Sequence, residues 1–343
     1  NKIRLVDRII DQTEYENPPS EKVQIITQEE YEGAFNNPFW INVPIKYVEI
    51  MKLANPNTKN RLKDNWKFEE LREHIEGGVG LQTGDNLSHL VITKNSKLWK
   101  KLQGSSKIET YRVMDSDKIA DLSVVGEERL RTYQTSGIKG ERFLVPFVRS
   151  ADSRYWGTAG WYIDWSNESV EQIKNRSSAR FQNTELYFRR GFVTNAHHGI
   201  LKATLVEYSI PAVNTNLYSG IDLETEVLLG YLNSKLASFF LGKIINTSLG
   251  GMSGHATPED IRRLPIRLPI DDRTEKIFQM LKAELIKNVT LIIDQLKKDP
   301  QADISFVQET IDSLVFEWFE FTEKDRDVVQ GYIKQMKEER ELY

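Results

Sequence analysis

The sequence predicts an α+β protein: a mixed-sheet domain with flanking helices and a C-terminal helical tail. Three observations predict it. Short runs rich in Val, Ile, Phe, Tyr and Trp crowd residues 100–210, which is strand composition. A broad apolar helical face follows at 224–246, and beyond Asp271 apolar residues recur at helical spacing to the end of the chain. With 343 residues there is room for two or three domains. Hydrophobic residues at 39% and charged residues at 28% supply a sizeable core, so wholesale disorder is not expected.

Ile3, Leu5 and then Val23, Ile25 alternate as short strands on either side of the turn-rich Glu16-Asn17-Pro18-Pro19-Ser20. Residues 44–76 are expected to be helical, with stripes Ile45, Val48, Met51, Leu53 and Trp66, Phe68, Leu71, Ile75 interrupted at Asn55-Pro56-Asn57. A glycine-rich turn over 76–86 then runs into the strand Leu90-Val91-Ile92. Strands are expected at Phe143–Val148, Trp161–Trp165 and Leu186–Phe188, with one polar helix at Glu168–Arg176. Pro258, Pro265 and Pro269 read as a connection. The tail carries the stripes Ile277, Met280, Leu281, Leu285 and Ile311, Leu314, Val315, Trp318, split at Asp299-Pro300.

Composition excludes several classes of function. The chain has no cysteine, so it has no disulfide, thiolate zinc site or cysteine nucleophile. No run of apolar residues is long enough to span a membrane, and a cytoplasmic location is the expectation. The first residues, Asn1 to Arg8, are charged and alternating, unlike a signal peptide, and begin without Met. The chain therefore reads as a fragment or a processed product. The net charge is −4, but it is unevenly spread. Lys139 to Val206 holds ten Lys/Arg and six Asp/Glu, a net of +4, while Glu259 to Tyr343 holds fourteen and nineteen, a net of −5. A basic middle with an acidic tail suits a domain with one face for an anionic ligand.

Three segments carry candidate chemistry. The run Gly77-Gly78-Val79-Gly80-Leu81-Gln82-Thr83-Gly84-Asp85-Asn86 is either a tight turn or a cradle whose backbone amides hold a phosphate. Its glycine spacing fits neither a dinucleotide fingerprint nor a P-loop. Between Arg149 and Trp165, Arg149 and Arg154 stand among Tyr155, Trp156, Trp161, Tyr162 and Trp165. Arginine forks suit phosphates and guanine edges, and aromatic faces suit unstacked bases. Trp161 and Trp165 read as core. The third segment holds Arg180-Phe181-Gln182-Asn183, Tyr187-Phe188-Arg189-Arg190, Thr194-Asn195 and His197-His198. Adjacent residues on a strand point to opposite faces, so the histidine pair does not make a metal site. No catalytic triad, His-Glu-x-x-His helix or nucleophile elbow is present. Asn17-Pro18-Pro19 lacks the aromatic that would complete an adenine-methyltransferase motif, and reads as a proline turn.

In order along the chain, these segments resemble the TaqI-like C-terminal specificity region of DNA adenine methyltransferases, including fused type IIG restriction–modification enzymes and related phage-defence methyltransferases. Gly80-Leu81-Gln82-Thr83-Gly84-Asp85-Asn86 resembles the family's Gly-x-x-Thr-Gly-x-Asn turn. Phe143–Phe147 with Trp161–Trp165 resembles its central strands, and Tyr187–Phe192 its Tyr-Phe-x-x-Gly element. Leu228-Leu229-Gly230-Tyr231-Leu232-Asn233-Ser234-Lys235-Leu236, ahead of Ile261–Ile266, is similar to its Leu-Gly-x-Leu-Asn-Ser-Lys helix. Ile311–Val315 with Phe321-Thr322-Glu323 resembles its helical tail more loosely.

The resemblance covers about residues 37–270 and lacks the methyltransferase half. It implies a trailing segment of an upstream catalytic domain at 1–36, a target-recognition domain at 37–270 and a helical tail at 271–343. It implies recognition of double-stranded DNA, with the target adenine positioned for a separate domain. Cofactors are expected only in that parent enzyme: S-adenosylmethionine, with magnesium a further candidate. Gln82, Thr83 and Asn86 are the residues expected to dock on the DNA backbone. Arg149, Arg154, Arg180, Asn183, Arg189, Arg190 and Lys202 are expected to meet phosphates or base edges. Arg189 and Arg190, adjacent on an expected strand, should point oppositely. Leu232 and Leu236 are expected in the core, and Asn233 is expected to hold a neighbouring loop. A subunit-contact module and a nuclease with an unrecognised metal site are the alternatives.

Overall fold

Trp66 and Phe68 alternate along a strand instead of recurring along a helix, and this reversal sets the first half of the fold. The structure, a computed structural model, describes residues 2–6, 23–27, 43–103, 110–124, 127–151, 153–157, 160–197, 200–245 and 256–341. Asn17-Pro18-Pro19-Ser20 and His198 lie outside the described residues, as does the side chain of His197. The helix expected over 44–76 is present only as α1, Ile45–Ala54. The rest folds as β3, Leu62–Lys63, and β4, Trp66–Glu70. Asp64 and Asn65, both with positive φ, form the two-residue loop between them, the conformation that best matches strand twist in a hairpin. Trp66 and Phe68 then fall on one face, under the guanidinium of Arg267.

The protein is α+β, with four sheets among the described residues. β1, Lys2–Val6, pairs antiparallel with β2, Val23–Thr27, as the alternation predicts. The three-stranded sheet has the order β14-β4-β3, with β14 formed by Pro265–Pro269. Here the sequence reading is corrected: Pro265–Pro269 is strand β14, not a connection. Its prolines occupy the two ends of an edge strand, where a missing N–H is tolerated.

The four-stranded antiparallel sheet has the order β11-β10-β13-β5, from Ile200–Val206, Gly191–His197, Asn216–Gly220 and Ile75–Val79. The five-stranded mixed sheet has the order β12-β8-β9-β6-β7, from Ile210–Pro211, Leu144–Val148, Trp161–Asp164, Leu90–Thr93 and Arg112–Met114. Beside it lie the short helices α2, Asn86–His89, α3, Lys97–Leu102, and α4, Ser116–Leu122. The expected polar helix is present as α5, Asn167–Lys174, capped by Ser166. Leu186–Phe188 is not a strand. Thr184–Leu186 is a 3-10 turn, and Phe188 takes a left-handed backbone, which buries Tyr187 and Phe188 against Trp165.

The apolar face at 224–246 is two helices, α6, Thr225–Leu232, and α7, Lys235–Ile245. The break follows from Ser234, whose hydroxyl accepts the Ala237 amide as an N-cap. Leu232 and Leu236 are fully buried, as expected. Asn233 is buried too. Its side chain accepts from the Ala203 amide and donates to the Ala203 carbonyl, so it holds strand β11, not a loop. α8, Pro258–Arg262, begins in a capping box of Thr257 and Asp260.

The tail comprises α9, Asp272–Lys298, α10, Ser305–Trp318, and α11, Glu323–Glu341. One large core joins α1, β4, the four-stranded sheet, α6, α7 and all three tail helices. A second core fills one side of the five-stranded sheet around Ile163, Trp165 and Tyr187. No described helix is long and apolar enough to cross a membrane.

Candidate nucleic-acid interface

Strand β10 is longer than its partnership with β13. The two pair only at Phe192↔Tyr218 and Val193↔Leu217, after which Thr194 and Asn195 leave β13 behind. On its other edge β10 stays paired to β11, with Asn195 opposite Lys202. A polar cleft of about 370 Å³ opens at this parting, and Arg149, Asn195, Asn214 and Asn216 reach it. Tyr218 also lines it. Burial pushes the Tyr218 hydroxyl up to about 12, so at neutral pH it stays protonated.

Backbone hydrogen bonds fix the walls. The 212–215 turn is closed by Thr215 N on Ala212 O at 3.0 Å and pinned on two sides, with Ala212 N donating to Val148 O at 2.8 Å and Val213 N to Leu81 O at 3.0 Å. Thr215 Oγ1 donates to the carbonyl of Arg149 at 2.5 Å, tying the end of β8 to the same turn. Opposite, Arg262 donates to the carbonyl of Gly77 at 2.8 Å and holds α8 against β5. The guanidinium of Arg149 lies 4.9 Å from the ring centroid of Trp161, a cation–π contact that orders the side chain without neutralising it.

The other expected contacts divide into two groups. Arg154 precedes Tyr155, whose backbone bridges β11 at Thr204, two residues from Lys202. Arg180 and Gln82 exchange backbone hydrogen bonds at 2.9 and 3.0 Å, and Leu81, next to Gln82, bridges to Ala212 at the cleft wall. Arg149, Arg154 and Arg180 have no carboxylate within ion-pair distance among the described residues. Arg149 thus lines the cleft, Gln82 and Arg180 lie beside its wall at Leu81, and Arg154 stands at the outer edge of β11.

Arg189 and Arg190 are placed differently from the reading above. They precede the strand, which begins at Gly191, so strand alternation does not govern them. Arg189 pairs with Glu76 at 2.5 Å, and Arg190 pairs with Glu226 at 2.5 Å and Glu207 at 3.4 Å. Burial alone would lower the Arg190 pKa, but the hydrogen bond and charge of Glu226, joined by Glu207, outweigh it and raise it. Both cations are therefore already matched by local carboxylates.

The glycine-rich turn is likewise occupied with itself. Gly80 N donates to Ala212 O, Leu81 N to Pro211 O and Gln82 N to Arg180 O. These amides do not form a phosphate cradle. A Cβ on Gly80 would stand 1.9 Å from the Pro211 carbonyl oxygen, and Gly84 has φ +74°, so both glycines serve close packing and turning. Thr83 is buried and donates to Asn86 Oδ1 at 2.8 Å, while Asp85 caps α2. Asn183, itself left-handed, donates to Val79 O at 2.8 Å. Trp165 is core, and Trp161 is the platform under Arg149. Among the described residues no group of three or more His, Asp or Glu side chains could hold a metal ion.

No family model matches the chain, and no curated protein matches it. Solved structures similar to it include these two. One is the HsdS subunit from Thermoanaerobacter tengcongensis, 14% identical over 81% of this chain and 50% of that one, with a TM-score of 0.29. The other belongs to work on complex assembly and conformational transition of the type I R-M system. It is 12% identical over 80% of this chain and 51% of that one, with a TM-score of 0.31. The chain spans about half the length of either. Superpositions this loose establish no common fold.

The cleft adds residues that the sequence reading passed over. Asn214 and Asn216 flank Thr215 in Val213-Asn214-Thr215-Asn216. Two amides in four residues ahead of a short strand are an available signal, but turn composition conceals it, because Asn is routine in turns.

Proposed function

We propose that this chain is a sequence-specific duplex-DNA recognition module of a restriction–modification or DNA adenine methyltransferase enzyme. The observation that carries the reading is the contrast among its arginines. Arg149, Arg154 and Arg180 have no carboxylate partner among the described residues, whereas Arg176, Arg189 and Arg190 are ion-paired. A surface that binds phosphates leaves its cations unmatched until the polyanion arrives. Arginine forks at the same surface serve base edges as well. The resemblance of the chain's motifs to adenine-methyltransferase specificity regions assigns the chemistry to a separate S-adenosylmethionine-dependent domain, for which this module positions the target adenine.

Selection from a random duplex library at low salt tests the reading. Enrichment of one short motif, with affinity that falls steeply as salt rises, is the expected result. Absence of binding at every salt concentration, both alone and with the parent's catalytic domain supplied, overturns it.

A further inference from the structure

We propose that the outer face of α9 pairs, antiparallel, with the same face of a second copy of this chain. The proposal does not depend on the DNA-recognition reading, and its test needs no DNA.

Helix α9, Asp272–Lys298, carries two apolar faces. One places Phe278, Leu281, Leu285, Val289 and Ile292 in the large core. Ile277 and Met280 share a sequence stripe with Leu281 and Leu285, yet they point the other way. They are 40% and 72% exposed, and Leu291 on the same side is 45% exposed. Alternating steps of three and four residues join Ile277, Met280, Glu284, Lys287, Leu291 and Asp294, all of them exposed. That spacing is the seam of a coiled coil, in which every side chain on the seam meets a partner helix. Single exposed apolar residues are ordinary on a protein surface, but three of them in register on one seam form a contact face.

The seam selects its occupant because it is complementary to itself when reversed. A two-fold axis passing between Glu284 and Lys287 places Met280 opposite Leu291 of the other copy, and Glu284 opposite Lys287. The axis repeats every contact, so two apolar layers enclose two layers of opposite charge. In a parallel pairing each residue would meet itself, and Glu284 would face Glu284 and Lys287 face Lys287. Like charges facing each other in this way disfavour that orientation. Within one copy Glu284 and Lys287 already pair at 3.1 Å, with both side chains more than half exposed. In the antiparallel pair the four charges alternate in sign, and the local pairs need not break. The end layers are mixed: Ile277 falls opposite Asp294 of the other copy, one turn from Arg273.

The test uses the full chain, whose lack of cysteine makes any introduced thiol unique. Met280→Cys and Leu291→Cys chains are oxidised separately and as a mixture. The mixture is expected to form at least about tenfold more crosslinked dimer than either variant alone. Two copies of one variant would hold their thiols about 16 Å apart along the helix, beyond the reach of a disulfide. Sedimentation equilibrium then reads the charges. Glu284→Lys alone and Lys287→Glu alone are each expected to weaken the dimer about tenfold, since each change spoils two symmetry-related pairs. The double swap Glu284→Lys/Lys287→Glu is expected to restore the wild-type affinity to within about twofold. A purely local role of this pair within one helix would leave association unmoved in all three. Thermal melting confirms that each variant is folded. A wild-type chain that stays monomeric at every concentration overturns the proposal. So does a dimer that either cysteine variant crosslinks by itself, or one indifferent to the charge reversals.

Discussion

The Tyr155 hydroxyl donates to Gln308 Oε1 at 2.9 Å across 153 residues of sequence, and both side chains are buried. Tyr155 also takes its place beside β11 through its own backbone, with Tyr155 N on Ala203 O and Leu205 N on Tyr155 O, each at 2.8 Å. Gln308 passes the connection on, donating to the Asn233 carbonyl at 3.3 Å and to Asp312 Oδ1 at 3.4 Å. The residue after Arg154 is thus fastened to helix α10 of the tail through a buried polar chain.

Tyr155→Phe removes one donor and leaves Gln308 Oε1 facing a ring. A buried acceptor deprived of its partner costs about 1–3 kcal/mol. Urea denaturation should show a lower midpoint with an unchanged slope. An unshifted midpoint would mean that Gln308 finds another donor and that this contact does not hold the tail to the sheet.

Asp312 gives the same network a pH dependence. Burial raises its pKa, and the amide and ammonium of Lys235 and the charge of Arg154 only partly oppose this. Its folded-state pKa therefore lies above its unfolded value of about 3.9. Across that interval the folded protein holds a proton that the unfolded chain has released, so stability falls as pH rises through it. Denaturation series collected from pH 3.5 upward should show this fall in the wild type. In Asp312→Asn, which keeps the side-chain shape and cannot ionise, the fall should be absent. Parallel curves for the two proteins would contradict the assignment.

The extent to which this architecture was legible depended on the range of the signal. Tail helices α9 and α10 were plain because each repeats an apolar stripe over several turns, and Asp271 caps α9. Trp66 and Phe68 misled because two apolar residues spaced two apart do not distinguish a strand from the start of a helix. The decisive cue was the Asp64-Asn65 turn beside them. At the interface, Arg149, Arg154 and Lys202 were legible as residue types, but the carboxylates that engage Arg189 and Arg190 were not. Glu76, Glu207 and Glu226 come from three separate elements, and only the folded sheet brings them together.

Arg267 is a test of burial rather than of recognition. It is 2% exposed, its guanidinium lies 4.0 Å from the Trp66 ring centroid, and it donates to the Trp318 carbonyl and pairs with Glu320, each at 2.5 Å. Trp318 Nε1 donates back to the Arg267 carbonyl at 2.8 Å. Arg267→Met retains the stem and strands the Trp318 carbonyl, while Glu320, half exposed and also paired with Lys46, is left to solvent. Loss of about 1–3 kcal/mol is expected from the orphaned buried carbonyl, read as a lower urea midpoint. A neutral outcome would show that packing of the stem on Trp66 and Phe68, not the charge, holds β14 to the tail.

Arg149 and Arg190 separate recognition from stability most sharply, because both are arginines of the basic middle segment and only one is ion-paired. Arg149→Ala should weaken duplex binding and lower the slope of log K against log salt by about 0.9 if it meets one phosphate. A loss confined to one base position, with the slope kept, would instead assign it to base reading. Its effect on the urea midpoint should be small, since the cation–π contact is worth about 0.5–1 kcal/mol. Arg190→Ala should leave the salt slope unchanged. It should cost about 0.5–1 kcal/mol of stability, the size of a partly exposed ion pair, because Glu207 and Glu226 are left facing each other. The reverse pattern, with binding sensitive at Arg190 and indifferent at Arg149, would move the DNA from the cleft that Arg149 lines to the segment between Tyr187 and Gly191. The role assigned to the unmatched cations would then be wrong.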